Sequence, residues 1–161
     1  MKTNDSWLKR FLFDCGTRDA DASLGLLVLR VATGLMMLIG HGIPKIHNFA
    51  KLKGSWHVPD IFPLYWMSPQ LSLVATLGAE VVAAVLLVLG LMTRPAAFVL
   101  CFVMVVAAFE VNHGSPWFTL PPNGKELAIL YLIPGIVLLL SGAGMWSLDV
   151  NLYRETKRRR W

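Results

Sequence analysis

Long stretches of apolar residues alternate with shorter polar segments along this chain. Four such stretches occur, at residues 24–39, 71–93, 96–111 and 127–146. Each approaches the about 17 to 25 residues that a helix needs to cross a bilayer, so the pattern predicts four spans. The stretch at 96–111 is short enough to be a core helix instead. Because 55% of the 161 residues are hydrophobic and only 16% are charged, we predict an all-α integral membrane four-helix bundle embedded in a lipid bilayer.

The lysines and arginines are unevenly distributed among the segments that flank these spans. If successive helices alternate in direction, ten of the fifteen lie on one side: Lys2, Lys9, Arg10, Arg18, Arg94, Arg154, Lys157, Arg158, Arg159 and Arg160. The positive-inside rule then predicts cytoplasmic N and C termini and long outer loops. This rule also accounts for the net charge of +5, so we expect no nucleic-acid binding. The basic C-terminal residues are expected to contact anionic lipid headgroups.

Three regions follow from this topology. Residues 1–21 form a cytoplasmic or interfacial N-terminal segment, residues 22–149 the transmembrane domain, and residues 150–161 a basic cytoplasmic tail. Aromatic and basic residues mix at 7–13, which suits the headgroup surface, although a mobile tail is an equal alternative. Charges throughout the first 22 residues argue against a signal peptide, so we expect the first span to remain in the mature chain.

The two cysteines limit the redox chemistry that the chain can perform alone. Cys15 precedes the first span and Cys101 lies in the middle of the third, so they are not expected to meet. A thiol-disulfide enzyme needs a closely spaced, exposed pair. We therefore interpret Cys101 as a packing residue.

Two charged residues stand alone inside the apolar stretches. Arg30 lies in the first and Glu80 in the second. Charges at membrane depth are costly and usually face the bundle interior. Helical periodicity places Arg30 on one stripe with Gly34, Met37 and His41, and a small residue such as Gly34 would let a neighbouring helix approach.

The face of the second span that carries Glu80 also carries Thr76, Ala83, Ala84 and Leu87. Counting from the inner edges gives a depth difference between Arg30 and Glu80 of about 6 Å, within reach of an arginine side chain. We therefore predict a buried bidentate Arg30–Glu80 pair, whose role is either functional or only to set helix register.

The predicted outer segments, 41–70 and 112–125, contain all four histidines and the aromatic residues Trp56, Phe62, Tyr65, Trp66 and Trp117. Loops of this length in a small protein are usually functional, but the aromatics are equally expected of an interfacial belt. His41 and His113 could work with Glu126 on a quinone headgroup, which needs a donor at each carbonyl and a route for protons. Glu126 alternatively only complements the dipole of its helix. No histidine spacing favours a metal or haem site.

Two prolines are expected to distort their helices. Pro44 should bend or end the first span, and Pro134 with Gly135 should kink the fourth.

Several short segments, taken in order, resemble the DoxX family of small bacterial membrane proteins. They are residues 27–32, 41–45, 78–80, 89–96, 126–128 and 141–149, so the resemblance runs from about residue 24 to 149. It implies a four-helix membrane bundle and a bacterial cytoplasmic-membrane location. Some relatives are subunits of a thiosulfate:quinone oxidoreductase, and others are linked to thiol-stress complexes. The recurring polar pattern falls here on Arg30, His41, Lys45, Glu80, Arg94 and Glu126. The absence of a usable cysteine pair departs from the redox relatives.

The leading hypothesis is a quinone-associated oxidoreductase component with a polar, outward-facing pocket. Its candidate catalytic residues are His41, Glu126 and His113, and its candidate cofactor-binding residues are Arg30, Lys45, Glu80 and Trp117. The alternative is a noncatalytic scaffold that presents its outer loops to a partner protein. A third hypothesis, small-solute passage, would require a homo-oligomer because four helices enclose only a thin pore.

Overall fold

The computed structural model describes residues 16–17, 19–118 and 125–152 of the chain. Within these residues the protein is all-helical and contains no strand. The long helices are α1 (Ala20–His47), α2 (Pro69–Leu89), α3 (Thr93–Val111) and α4 (Glu126–Ser141). A single helical turn at Phe49–Leu52 and a 3₁₀ turn at Leu64–Trp66 lie between α1 and α2. Most of the predicted segments 1–21 and 150–161, with Cys15 and the terminal arginines, lie outside the described residues.

Side-chain caps and glycines determine where the helices begin and end. The Asp19 carboxylate accepts a hydrogen bond from the Ala22 N–H at 2.8 Å, and Ser68 caps α2 in the same way just before Pro69. Such caps satisfy amides that have no partner within the helix. Gly90 ends α2 in the left-handed conformation, with φ of 66°, which glycine adopts without steric cost.

Three helices, α1, α2 and α3, are long and apolar enough to cross a membrane. The doubtful stretch at 96–111 thus belongs to a 19-residue helix of sufficient length. The fourth apolar stretch instead forms the shortest of the four long helices. It was predicted to extend to residue 146, but α4 ends at Ser141 because Gly142 takes φ of 81° and ψ of −166°. At 16 residues, α4 falls just below the about 17 residues expected of a span.

The helices pack in antiparallel pairs, α1 against α2 and α3 against α4, with further contacts between α2 and α3 and between α1 and α4. Their core is rich in alanine and leucine. Large apolar side chains on the opposite faces are exposed, including Val28, Met36, Phe98 and Leu140 at 59 to 72%. Exposed apolar faces of this extent suit a lipid environment.

The predicted faces of the first two spans are confirmed. Arg30, Gly34 and Met37 are buried on α1, and Glu80, Ala83, Ala84 and Leu87 are buried on α2. Gly34 allows the predicted close approach, because a Cβ atom added there would lie 2.7 Å from the Ala84 carbonyl oxygen. Small residues at a helix contact allow backbones to approach in this way.

Of the two effects expected of Pro44, an end of α1 does not occur, and a bend stays a prediction. The helix changes to π-helical geometry over Leu38–Gly42 and then continues over Ile43–His47, with Pro44 in the first turn of that last piece. Proline is tolerated in a first helical turn because its missing N–H would have no helical partner there. The helix α4 also continues through Pro134.

The contact at Gly34 gives a first prediction. Gly34→Ala should lower the free energy of unfolding by about 1 to 3 kcal/mol, because the added methyl group overpacks the contact between α1 and α2. Thermal unfolding in mild detergent measures the effect. Gly25→Ala in the same helix is the matched control, because no other atom lies within 4 Å of its Cβ position. Equal effects of the two changes would contradict this account of the helix contact.

Candidate functional site

Ionisable side chains occupy all three π-helical segments in the described part of the chain. These segments are Leu38–Gly42 with His41, Gly78–Ala83 with Glu80, and Ala107–Val111 with Glu110. A π-helical segment widens the helix by one residue per turn, reorients the side chains that follow, and often occurs at functional sites. The coincidence of this geometry with ionisable residues in three helices identifies the candidate site.

The centre of this site is an ion pair between Lys45 and Glu80. The ammonium group of Lys45, three residues beyond the π-helical segment of α1, contacts both carboxylate oxygens of Glu80. The Glu80 side chain is only 5% exposed and that of Lys45 is 20% exposed. The ring of Trp56 lies beside the same ammonium group, with 5.5 Å between Nζ and the ring centroid. This distance is that of a cation–π contact.

The predicted Arg30–Glu80 pair is therefore wrong. A Cβ atom added at Gly42 would lie 3.0 Å from the Glu80 carbonyl oxygen, so these two residues are level in the antiparallel pair. Arg30 lies twelve residues before Gly42, which corresponds to about 18 Å along the helix. The prediction failed because it measured depth from the edges of the apolar stretches. These edges do not reveal the axial offset between the two helices.

Arg30 instead binds backbone carbonyls where α2 ends. Its Nη1 donates to Leu87 O at 3.2 Å and to Val88 O at 2.9 Å, and its Nη2 donates to Trp146 O. The last carbonyls of a helix have no helical partner and carry partial negative charge, which a cation stabilises. Arg30 thus joins α1, the end of α2 and the segment after α4.

Asp149 binds the turn between α2 and α3, next to the end of α2 that Arg30 binds. It was not singled out from the sequence. Its carboxylate accepts hydrogen bonds from the N–H groups of Met92 at 2.7 Å and Thr93 at 3.0 Å, where α3 begins. Its own N–H donates to Gly90 O at 2.9 Å. We call Arg30 and Asp149 the turn clamp. Both residues are 2% exposed, so the clamp is a buried framework element distant from Lys45 and Glu80.

His41 and Tyr131 lie together beside the Lys45–Glu80 pair. Their rings meet edge to face at 5.4 Å between centroids, and Tyr131 is only 8% exposed. Both rings interact electrostatically with Glu80. Neither the imidazole nor the phenol group forms a hydrogen bond with another described residue. These two polar groups are therefore available to a ligand. Tyr131 was missed in the sequence because a tyrosine in an apolar helix also reads as a core residue.

The other predicted site residues are more exposed. Glu126 begins α4 and is exposed, without a hydrogen bond or ion pair to any residue that the structure describes. His113 is exposed after α3 and interacts electrostatically with Glu110. Trp117 is 51% exposed, meets Phe109 edge to face at 6.0 Å, and lies near Lys125. A joint site of His41, His113 and Glu126 stays a prediction.

Cys101 is buried in the helix contact rather than placed with the polar groups. It is 8% exposed, and a Cβ atom added at Gly135 of α4 would lie 2.7 Å from its sulfur. Among the described residues, no three His, Cys, Asp or Glu side chains form a group that could hold a metal ion.

Comparison with known proteins decides the family of the chain. The DoxX family model matches residues 25–113, which include most of α1 and all of α2 and α3. The chain belongs to the DoxX family. A relative described as an uncharacterized protein of Haemophilus influenzae is 33% identical over 135 residues, covering 81% of this chain and 92% of the relative. A second uncharacterized protein of that species is 24% identical over 151 residues, covering 92% of this chain and 96% of the relative. No solved structure matches.

The ion pair of this DoxX-family membrane protein gives a second prediction. Lys45→Met should lower the free energy of unfolding by about 3 to 5 kcal/mol, because it leaves the Glu80 carboxylate buried without its partner. Lys45→Met combined with Glu80→Gln should recover most of this loss in a double-mutant cycle measured by unfolding in detergent. Strict additivity of the two changes would argue against the pair.

Arg30→Leu combined with Glu80→Leu is the matched control. Because Arg30 and Glu80 are not partners, we expect additive destabilisation and no rescue.

Proposed function

We propose that this protein is a quinone-associated membrane oxidoreductase component that binds the quinone headgroup beside the Lys45–Glu80 pair. The observation that carries the proposal is the pair of unsatisfied polar rings, His41 and Tyr131, next to a buried ion pair. Tyr131 is buried and His41 is partly buried, and neither side chain has a hydrogen-bond partner among the described residues, so the two groups side by side suit a ligand with its own polar atoms. Their position between apolar helices suits a ligand that arrives from the lipid phase.

The chemistry of the four side chains fits a quinone headgroup. The Tyr131 hydroxyl and a His41 N–H can each donate a hydrogen bond to a carbonyl oxygen. Near those oxygens, Lys45 Nζ can donate a proton and the Glu80 carboxylate can accept one. A bound quinone would supply two-electron redox chemistry. The electrons would come from a partner, since the two cysteines are far apart in the sequence and Cys101 is buried.

We further propose that all four long helices span a bacterial cytoplasmic membrane, with both termini in the cytoplasm. The distribution of cations in the sequence supports this orientation. Under this topology Arg94 and the turn clamp lie on the cytoplasmic side, and the π-helical segments lie towards the outer side. Although α4 is short, local thinning of the bilayer can accommodate a short apolar helix.

A second candidate function, a scaffold for a partner protein, is favoured by exposed aromatic side chains near the same side of the bundle. Phe62 is 73% exposed, Trp66 70% and Phe118 80%. Aromatic residues are enriched at the centres of protein interfaces. They also suit the membrane interface, so they favour a partner less strongly than His41 and Tyr131 favour a ligand.

Quinone retention tests the proposed ligand. We expect a quinone to copurify with the wild-type protein in near-stoichiometric amount, measured by mass spectrometry of an organic extract after purification in mild detergent. Tyr131→Phe removes only the hydroxyl donor and should lower retention by about tenfold, the effect of losing about 1.4 kcal/mol of binding free energy. Tyr65→Phe, in the exposed aromatic loop, is the matched control and should retain wild-type levels. Glu126→Gln shows whether the site extends to the start of α4.

Absence of quinone from the wild type would overturn the ligand proposal. Recovery of one defined partner protein, lost in Trp117→Ala or Trp66→Ala, would then support the scaffold role.

The topology gives a separate prediction. In a Cys15→Ser, Cys101→Ser background, Gly54→Cys in the exposed loop after α1 should react with a membrane-impermeant maleimide in intact spheroplasts. Trp161→Cys should react only after permeabilisation, because it follows the basic C-terminal residues. Labelling of Trp161→Cys from outside would reverse the proposed orientation.

A further inference from the structure

Residues 56–60, in the loop between α1 and α2, contact the Lys45–Glu80 pair through their first residue. At the start of this segment, the Trp56 ring lies beside Lys45 Nζ. Just before its end, Pro59 is buried. This segment contains no helix or strand, so its position depends on individual contacts with the helices.

Two helices provide these contacts. On α2, the Ser72 hydroxyl donates a hydrogen bond to the His57 carbonyl oxygen at 2.8 Å. On α3, Glu110 Oε1 accepts a hydrogen bond from the Asp60 N–H at 3.0 Å and lies 3.5 Å from His57 Nε2. The Glu110 carboxylate therefore contacts the segment at two residues. His57 directly follows Trp56, and Asp60 ends the segment.

We propose that residues 56–60 form a cover over the Lys45–Glu80 site and that Glu110 is the positioning residue that holds this cover closed. Glu110 lies in the π-helical segment that ends α3, which explains why a third π-helical segment carries an acidic residue although it does not contact the ion pair. The Trp56 ring limits access of water and reagents to Lys45. The cover depends only on contacts within the protein, so the proposal goes beyond quinone binding and holds for any ligand of the site.

A hydrogen bond from a backbone N–H to a carboxylate is stronger than one between neutral groups. The Ser72 contact holds only the His57 backbone at the start of the segment, so loss of Glu110 should free the His57 side chain and the part from Val58 to Asp60. Local opening of this kind raises amide exchange without unfolding the helices.

The test measures access to Lys45 and amide exchange in the full chain in detergent. Acylation of lysines by a small amine-reactive reagent is quantified for each residue by mass spectrometry, with the exposed Lys51 and Lys53 as internal references. Hydrogen exchange is followed for residues 56–60. Glu110→Ala should raise both the relative acylation of Lys45 and the exchange of the segment by about tenfold. Trp56→Ala should raise Lys45 acylation to a similar extent.

Conservative variants separate a positioning role from general destabilisation. Glu110→Gln keeps an oxygen that can accept the Asp60 N–H and should lie between wild type and Glu110→Ala. His57→Ala leaves the backbone acceptor for Ser72 and should open the cover partly. Asp21→Asn, at an exposed acidic residue in the first turn of α1, is the matched control and should change neither measurement. Continued protection of the buried Cys101 from thiol reagents shows that each variant is folded.

Unchanged acylation and exchange in both Glu110→Ala and His57→Ala would overturn the cover. Unchanged Lys45 acylation in Trp56→Ala would overturn the role of Trp56. Neither readout involves quinone, so failure of this proposal and failure of quinone binding are distinguishable.

Discussion

The close antiparallel contact of α1 with α2 is the constraint on which the rest of the structure depends. Gly34 and Gly42 bring the two backbones together, and each glycine would meet a carbonyl oxygen of α2 if it carried a Cβ atom. This contact sets how far the helices slide past each other. It places Lys45 opposite Glu80 and Arg30 opposite the end of α2, so both internal charges owe their partners to it.

The protein stabilises its two internal cations in different ways. Arg30 has several fixed donors, and it binds two carbonyls near the end of α2 and one in the segment after α4. Asp149 binds the backbone at the start of α3. The tight turn between α2 and α3 therefore has a cation at the end of α2 and an anion at the start of α3. Lys45 has a compact ammonium group on a flexible chain, and it binds a carboxylate. An arginine suits a permanent framework contact, whereas a lysine with a carboxylate can exchange protons.

This difference separates the half of the bundle that holds the turn clamp from the half that holds the candidate site. The turn clamp has no π-helical geometry near it, while each π-helical segment brings an ionisable side chain to the other half. His41, Glu80 and Lys45 gather beside Tyr131, and Glu110 holds the neighbouring loop. Irregular backbone inside an apolar bundle is tolerated where it lines a polar site. Function in this DoxX-family member is thus best sought where the helices depart from regular geometry.

Apolar length and helical periodicity in the sequence by themselves determined the helical class, the membrane environment and the buried faces of α1 and α2, because burial in a helix follows a fixed angular repeat. They also identified Arg30, His41 and Glu80 as unusual, since charge is costly among apolar residues, whereas Lys45 came from the family resemblance. Only the tertiary structure decided which of them are partners. Pairing depends on the axial slide between helices, and that slide is set by the packing of Gly34 and Gly42 against α2. The roles of Asp149, Tyr131 and Glu110 also required the structure, because each acts on a segment distant in the sequence.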